Sequence, residues 1–137
     1  MKKILVAYDG SEQSAKAYSF ALDFADRDNA EIIAIAVAQP MSFQEDIEFE
    51  STLESEQEEL KNGYGIISEE AKKRNISSRL VLRAGHPADQ IISLAEQEKV
   101  DMIVMGHRGK SLIKRWLLGS VSKRVLSYAG CTVTIVR

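Results

Sequence analysis

Short apolar runs alternate along this chain with longer stretches in which apolar residues recur every three or four positions. The short runs are typical of strands buried on both faces of a sheet, and the longer spacing is typical of amphipathic helices. The pattern therefore predicts strands separated by helical segments. The predicted strands cover residues 4–8, 32–37, 78–83, 102–105 and 132–136.

The segments between the strands carry helix signals. Ser11 is a good N-cap for a first helix that ends near residues 28–29, and Pro87 suits the first turn of another that ends near Lys99. Residues 44–59 are strongly acidic and lead into one long helix ending near residues 74–75. Such a charged run is usually a solvated helix face, and the alternative is a surface that binds a partner. The last helix is predicted to begin at residues 119–120 and to stop at Gly130.

Strands that alternate with helices imply a parallel sheet with right-handed crossovers. We therefore predict an α/β fold, an open parallel five-stranded sheet with helices on both faces. A length of 137 residues fits a single domain over residues 1–137, without internal repeats or linkers.

Composition narrows the function. A net charge of −2 argues against a general nucleic-acid binder. One cysteine, Cys131, cannot form an internal disulfide, and with only His86 and His107 beside it a Cys/His metal site is not expected. No apolar run approaches the ~20 residues that span a membrane. The apolar stretch after the basic start is too short for a signal peptide, so we expect a cytoplasmic protein.

Two strand ends carry residues suited to a ligand. The first strand ends in Asp9–Gly10 and the fourth in Met105–Gly106. Ligands of open α/β sheets bind beyond the carboxyl ends of strands, where the strand order reverses. If these two strands are neighbours, Asp9 and the glycine loop face one crevice. Asp9 then accepts hydrogen bonds from a ribose or base; the alternative is an acid that merely closes a turn.

The loop after the fourth strand has the features of a phosphate site. Gly106 and Gly109 let the backbone approach a ligand without a Cβ, and Gly119 opens a helix whose free amides face an anion. Ser120 and Ser122 add hydroxyl groups. Between residues 106 and 124 there are basic residues and no acid: Arg108, Lys110, Lys114, Arg115, Lys123 and Arg124. The alternative is an ordinary post-strand loop and helix cap.

The sequence does not match the better-known phosphate-binding, dinucleotide-binding and hydrolase motifs. Gly109–Lys110–Ser111 resembles the end of a Walker A loop, but Val104 stands where that motif needs a glycine. The dinucleotide fingerprint and the nucleophile elbow are also missing. As a lone loop imidazole, His107 is expected to be a surface or ligand-contact residue rather than a catalytic base.

With these features together, the whole chain resembles the universal stress protein family. Its nucleotide-binding members carry a glycine, two residues, a glycine, nine residues, then a glycine followed by Ser or Thr. Gly106, Gly109, Gly119 and Ser120 keep that spacing. The first strand with Asp9–Gly10–Ser11, the Gly85-x-Pro87-Ala88 turn and the apolar run into Gly106 agree. His86 departs from the usual acidic or small cap.

The resemblance implies strand order 3-2-1-4-5, a Rossmann-like sheet of the adenine nucleotide alpha hydrolase type. It implies ATP, or ADP or AMP, with or without Mg²⁺. Ala7 and Asp9 would line the base and ribose, and Val37 would meet adenine through its backbone. The remaining implied contacts are Met105, Gly106, Arg108 and Gly109 at the ribose and phosphates, and Gly119, Ser120, Val121 and Ser122 at the phosphates.

The implied function is an ATP-binding regulatory protein of the stress response, a homodimer through residues 132–136, without nucleic-acid or membrane partners. We assign no catalytic residue, because the sequence offers no evident attacking base, and any ATP hydrolysis is expected to be slow. The alternative is a dimeric signalling or interaction module that does not bind nucleotide. An adenylyl-transfer enzyme would need a substrate domain that so short a chain lacks.

Overall fold

The computed structural model describes residues 1–38, 46–107 and 119–137, and for residues 46–52 and 119 it describes the backbone alone. Five parallel strands form one sheet in the order β3-β2-β1-β4-β5. The strands are β1 (Lys3–Ala7), β2 (Glu31–Ala38), β3 (Ser78–Ala84), β4 (Met102–Gly106) and β5 (Thr132–Val136). The helices are α1 (Glu12–Asp28), α2 (Asp46–Ile67), α3 (Glu69–Lys73), α4 (Pro87–Glu98) and α5 (Gly119–Tyr128). The predicted fold class and strand order are confirmed.

Strand β1 lies in the centre of the sheet, between β2 and β4. Ile4 pairs with Ile32 on one side and with Met102 on the other. The strands pair in parallel throughout, so the carboxyl ends of β1 and β4 share one edge of the sheet. We call this the carboxyl edge and the opposite one the amino edge.

Each sheet face carries its own core. Leu5 and Ala7 of β1 point to the face covered by α4 and α5, which we call the α4/α5 face. Ile4 and Val6 point to the opposite face, which α1 and α3 cover and which we call the α1 face. This alternation explains why the strand sequences are apolar at every position.

Three helices end at the amino edge in the same way. Asn29, Asn75 and Lys99 follow the helices in the left-handed conformation, with φ of 55°, 57° and 53°. The next residue, in each case apolar, donates its N–H to an alanine carbonyl five positions earlier: Ala30 to Ala25, Ile76 to Ala71 and Val100 to Ala95, at 3.0, 2.8 and 3.1 Å. These are Schellman motifs, which satisfy the last carbonyls of a helix.

The last helix ends differently. Gly130 was expected as a left-handed stop, but its φ is not positive, and α5 already ends at Tyr128. A hydrogen bond from the Ala129 N–H to the Val125 carbonyl, at 2.8 Å, closes the final turn. The predicted end of the helix is confirmed, because Gly130 follows its last turn, but that glycine does not adopt the left-handed conformation typical of such a stop.

The prediction of a single long second helix is wrong in detail, because Ser68 separates α2 from α3. The Ser68 N–H still donates to Tyr64, at 2.9 Å, but its hydroxyl donates to the Gly65 carbonyl at 3.3 Å. Serine side chains that bond nearby backbone compete with regular helix geometry. The predicted end near residues 74–75 is confirmed.

Asp101 fastens the start of β1 to the loop before β4. Its Oδ2 accepts the backbone N–H groups of Lys2 at 2.6 Å and Lys3 at 3.0 Å. These two donors lower the pKa of the Asp101 carboxyl below its ordinary value. The contact joins residues almost one hundred positions apart in the chain.

Candidate functional site

The turn after β1 holds Asp9 in a fixed position. Its Oδ1 accepts the Ser11 N–H at 3.0 Å, and its own N–H donates to the Ser14 hydroxyl at 3.3 Å. Ser11 caps α1 as predicted, accepting the Ser14 N–H at 3.0 Å. Gly10 has a φ of +84°, which favours glycine. Asp9 thus does close a turn, but through Oδ1 only; within the described residues Oδ2 has no partner.

The end of β4 approaches the first turn of α1 very closely. A Cβ on Gly106 would lie 2.7 Å from the Gln13 carbonyl oxygen and 2.8 Å from its carbonyl carbon. Backbone cannot yield as a flexible side chain can. Glycine at position 106 therefore clears space for α1, whereas the sequence argument had it clear space for a ligand.

The backbone of Val37 lies beside the end of β1. The Tyr8 N–H donates to the Ile35 carbonyl at 2.9 Å, so Ile35, and Val37 two residues later, direct their backbone groups toward β1. The register of β1 with β2 ends at Ala7 and Ile35. No β1 residue therefore pairs with Val37, and its N–H and C=O face the space beyond the strand.

The side chains of Ala7, Val37 and Met105 belong to the core. All three are buried and pack on the α4/α5 face. They can meet a ligand at the carboxyl edge through their backbone, as the resemblance implies for Val37. Their side chains support the floor of the crevice.

Helix α5 begins at Gly119, as predicted. Ser120 is exposed, and Val121 packs partly against the core of the α4/α5 face. Ser122 is half-buried. Arg108 and Gly109, with Lys110, Lys114 and Arg115, lie outside the described residues, so their predicted roles stay predictions.

Sequence reasoning missed the contact between Tyr8 and α2. A Cβ on Gly63 would overlap the Tyr8 hydroxyl oxygen, so any larger residue at position 63 must displace this tyrosine. Burial, and then the nearby charge of Asp9, raise the pKa of Tyr8. The Tyr8 and Tyr64 rings meet edge to face, with centroids 6.4 Å apart. A glycine in the middle of a helical pattern was the signal available in the sequence.

Across residues 1–38, 46–107 and 119–137, no three His, Cys, Asp or Glu side chains cluster as metal ligands would. No helix in these ranges is long and apolar enough to cross a membrane. Among the described residues, the carboxyl edge thus offers Asp9 Oδ2, the free backbone groups of Val37 and the N-terminus of α5. Such groups can hold a polar ligand, and none of them is an evident nucleophile.

Comparison with known proteins supports the resemblance stated above over the full length of the chain. The family model described as Universal stress protein family matches residues 1–137. A universal stress protein of Methanocaldococcus jannaschii is 34% identical, over 99% of this chain and 82% of that protein.

Solved structures agree. The universal stress protein UspA of Lactobacillus plantarum superposes with a TM-score of 0.89 at 24% identity, covering 99% of this chain and 97% of that one. A universal stress protein solved in complex with cAMP superposes with a TM-score of 0.64 at 28% identity, covering 99% of this chain and 97% of that one. The first likeness supports the fold, and the second names a ligand of a related protein.

Proposed function

The chain belongs to the universal stress protein family, and from that membership we propose that it is a regulatory protein of the stress response that binds an adenine nucleotide. The ligand would lie at the carboxyl edge between β1 and β4. The observation that carries this proposal is one of topology: Asp9 follows β1, Val37 lies near the end of β2 and α5 begins at Gly119, all on the carboxyl side of the sheet where β1 and β4 are neighbours.

The base and ribose would use groups from β1 and β2. Adenine presents a donor and an acceptor on one edge, and the free N–H and C=O of Val37 offer the complementary pair. Asp9 Oδ2 is left to accept a ribose hydroxyl, while Oδ1 stays bonded to Ser11. The related protein solved with cAMP supports an adenine ligand rather than free phosphate.

The phosphates would face the first turn of α5. The N-terminus of α5 and its helix dipole favour an anion there. Lys123 and Arg124 follow in the sequence, but the Arg124 guanidinium already bonds Asp89 of α4 at 2.8 Å, so Lys123 is the basic residue we assign to this side. Gly119, Ser120, Val121 and Ser122 are the residues we assign to the phosphates, with Met105, Gly106, Arg108 and Gly109 bordering the ribose side.

We assign binding rather than catalysis. Asp9 accepts a hydrogen bond from the Ser11 N–H, which holds its carboxylate as an acceptor, and Asp89, another acid at this edge, is bonded to Arg124 at 2.8 Å. Any Mg²⁺ would be held chiefly by the phosphates, because the described residues offer no cluster of metal ligands.

We also propose a homodimer through β5. The two edge strands differ in charge. On β3, Arg79 pairs with Glu98 at 2.9 Å, and Arg83 donates to Gln97. Charged residues protect a sheet edge from further pairing. β5 is uncharged over residues 132–136, so it can accept a second copy of itself in antiparallel orientation.

The first experiment identifies the ligand. Purified protein is denatured, released nucleotide is identified by mass spectrometry, and the emptied protein is titrated with ATP, ADP, AMP and cAMP by calorimetry. We expect at least one of them to bind. Absence of binding at millimolar concentration would overturn the nucleotide proposal and favour the interaction module.

The second experiment places the ligand. Gly119→Val is expected to weaken nucleotide binding by roughly a hundredfold or more, because its branched side chain stands at the N-terminus of α5 where the phosphates would lie. Gly130→Val is the matched control, since no atom lies within 4 Å of a Cβ at that position. Circular dichroism checks the fold of both variants. Retained affinity in Gly119→Val places the ligand elsewhere.

A further inference from the structure

A cavity of about 150 Å³ opens at the amino edge, far from the proposed nucleotide site. It lies between the end of α4 and the turn that leads from α5 into β5. Its apolar wall includes Ile92, Ala95, Ala129 and Cys131, and Glu96 and Lys99 stand at its rim. We call it the corner cavity.

The rim of the corner cavity has an available acid. Glu96 and Lys99 are exposed, and among the described residues neither is joined in an ion pair. The carboxylates of Glu98 on α4 and Glu31 on β2 are not available in this way. Both are paired with Arg79, Glu98 at 2.9 Å and Glu31 at 3.5 Å. A cationic side chain with an apolar stem fits this combination of an apolar wall and a free carboxylate.

Strand β5 determines which residues face the cavity. Val133 and Ile135 pack on the α4/α5 face, as does Cys131, whereas Val136 packs on the α1 face. Alternation along the strand therefore sends Arg137 to the same side as Cys131. Arg137 is exposed.

Antiparallel pairing of two β5 strands brings these residues together. When all five residues of β5 pair with the five residues of the second copy's β5, Thr132 lies opposite the partner's Val136. Cys131 then lies opposite the partner's Arg137. Opposite residues in an antiparallel pair point to the same face, with Cβ atoms about 4.5–5.5 Å apart. The partner's Arg137 thus begins beside the wall of the corner cavity.

We propose that the corner cavity receives the Arg137 side chain of a second copy of this chain, whose guanidinium bonds Glu96. This rests on the dimer in the proposed function and goes beyond it. A five-residue strand alone makes a small interface, and two such anchors extend it. Lys99 repels the incoming cation, so Glu96 must supply the attraction.

A charge exchange tests the contact. Dimer dissociation of the full chain is measured by sedimentation for wild type, Glu96→Arg, Arg137→Glu and the combined variant. Each single variant is expected to weaken the dimer by roughly tenfold or more, since a symmetric dimer contains the contact twice. The combination is expected to return to within about threefold of wild type. Glu54→Arg, an equal charge change at an exposed position of α2, is expected to leave the dimer unchanged.

A cross-link tests the register. Arg137→Cys creates a thiol opposite the native Cys131 of the second copy. Oxidised glutathione should join the two sulfurs, taking up the two protons and two electrons as it is reduced. We expect a covalent dimer on a non-reducing gel, and none when Cys131→Ser is added. Thr132→Cys, which faces a different residue, is expected to cross-link far less to Cys131.

The outcomes separate the two proposals. A dimeric wild type that ignores the charge variants, or singles that weaken without rescue in the combination, overturns the docking of Arg137 and leaves the β5 dimer standing. A monomeric wild type overturns both. Nucleotide binding, measured on the same preparations, is expected to stay unchanged in Glu96→Arg, because Glu96 lies at the opposite edge. Arg137 follows Val136, which pairs with Gly106 at the carboxyl edge, so its variants do not serve for this comparison.

Discussion

The two edges of the sheet are built in different ways. At the amino edge, three turns from helix to strand share one design: an alanine near the helix end, a left-handed residue, then an apolar residue. At the carboxyl edge the turns differ from one another. There, Gly10 turns with positive φ, Gly106 admits the backbone of Gln13, and Gly63 admits Tyr8.

This difference separates stability from function. Repeated turns with paired backbone groups stabilise the domain whatever the ligand. At the carboxyl edge, unpaired groups at Val37 and Asp9 remain available, and close packing around them keeps them in place. Pre-organised groups of this kind lower the entropic cost of binding.

The largest expected effect on stability is at Gly106, at the carboxyl edge. Gly106→Ala is expected to reduce the free energy of unfolding by about 2–3 kcal/mol, because its Cβ would overlap the Gln13 backbone. Chemical denaturation measures the loss. Gly130→Ala, at the amino edge, has open space and an ordinary φ, and should change stability by less than ~0.5 kcal/mol. Equal effects at both positions would refute the distinction.

Two glycines of α2 allow the same comparison between a crowded and an open position. Gly63→Ala is expected to destabilise by about 1–2 kcal/mol because it displaces the Tyr8 hydroxyl, whereas Gly65→Ala, with no atom within 4 Å, should stabilise by up to ~1 kcal/mol. Thermal or urea denaturation measures both.

Adding Tyr8→Phe should reverse the sign at Gly63. The hydroxyl is then gone, and the next ring atom lies at 3.5 Å, an ordinary contact. Gly63→Ala in that background is expected to stabilise, as alanine favours a helix. A loss that persists without the hydroxyl would locate the constraint elsewhere.

At the amino edge, Asn75→Ala is expected to cost about 1 kcal/mol, because alanine is disfavoured at a φ of 57°. Asn75→Gly should leave stability nearly unchanged. Both are measured by urea denaturation together with nucleotide affinity, which neither should alter. An altered affinity would show that the edges are coupled.

The smallest expected effect concerns Asp101. Its folded-state pKa is lowered below 3.8, so its contribution is present above about pH 4 and is lost as the pH falls through the folded value. Asp101→Asn should therefore lose less than ~1 kcal/mol at pH 7, since the group is exposed, and the loss should shrink as the pH falls below about 4 through the folded value. A difference from wild type that does not depend on pH would mean that charge is not involved.

The sequence predicted the strands and most helix boundaries because their signals are local. Ser11 at the α1 cap and Pro87 at the start of α4 each act on adjacent residues. The close contacts could not be predicted this way. Gly106 meets Gln13 and Gly63 meets Tyr8 only after the sheet and helices have packed.

The site shows the same division. Asp9 and Gly119 occupy the expected elements, but the free backbone of Val37 depends on where β1 ends relative to β2. Gly130 also illustrates the limit of local signals, because a glycine after a helix predicts a left-handed stop that this helix does not use.

The pairing of β1 with β4 has a kinetic consequence. Strands β1, β2 and β3 follow one another in sequence, whereas β4 joins β1 from almost one hundred residues away. Pairing across so long a loop is expected late in folding. The proposed ligand would contact both β1 and β4, so it would bind only after these two strands have paired. Bound nucleotide would then slow the separation of β1 from β4, and the protein would resist unfolding most when nucleotide is abundant.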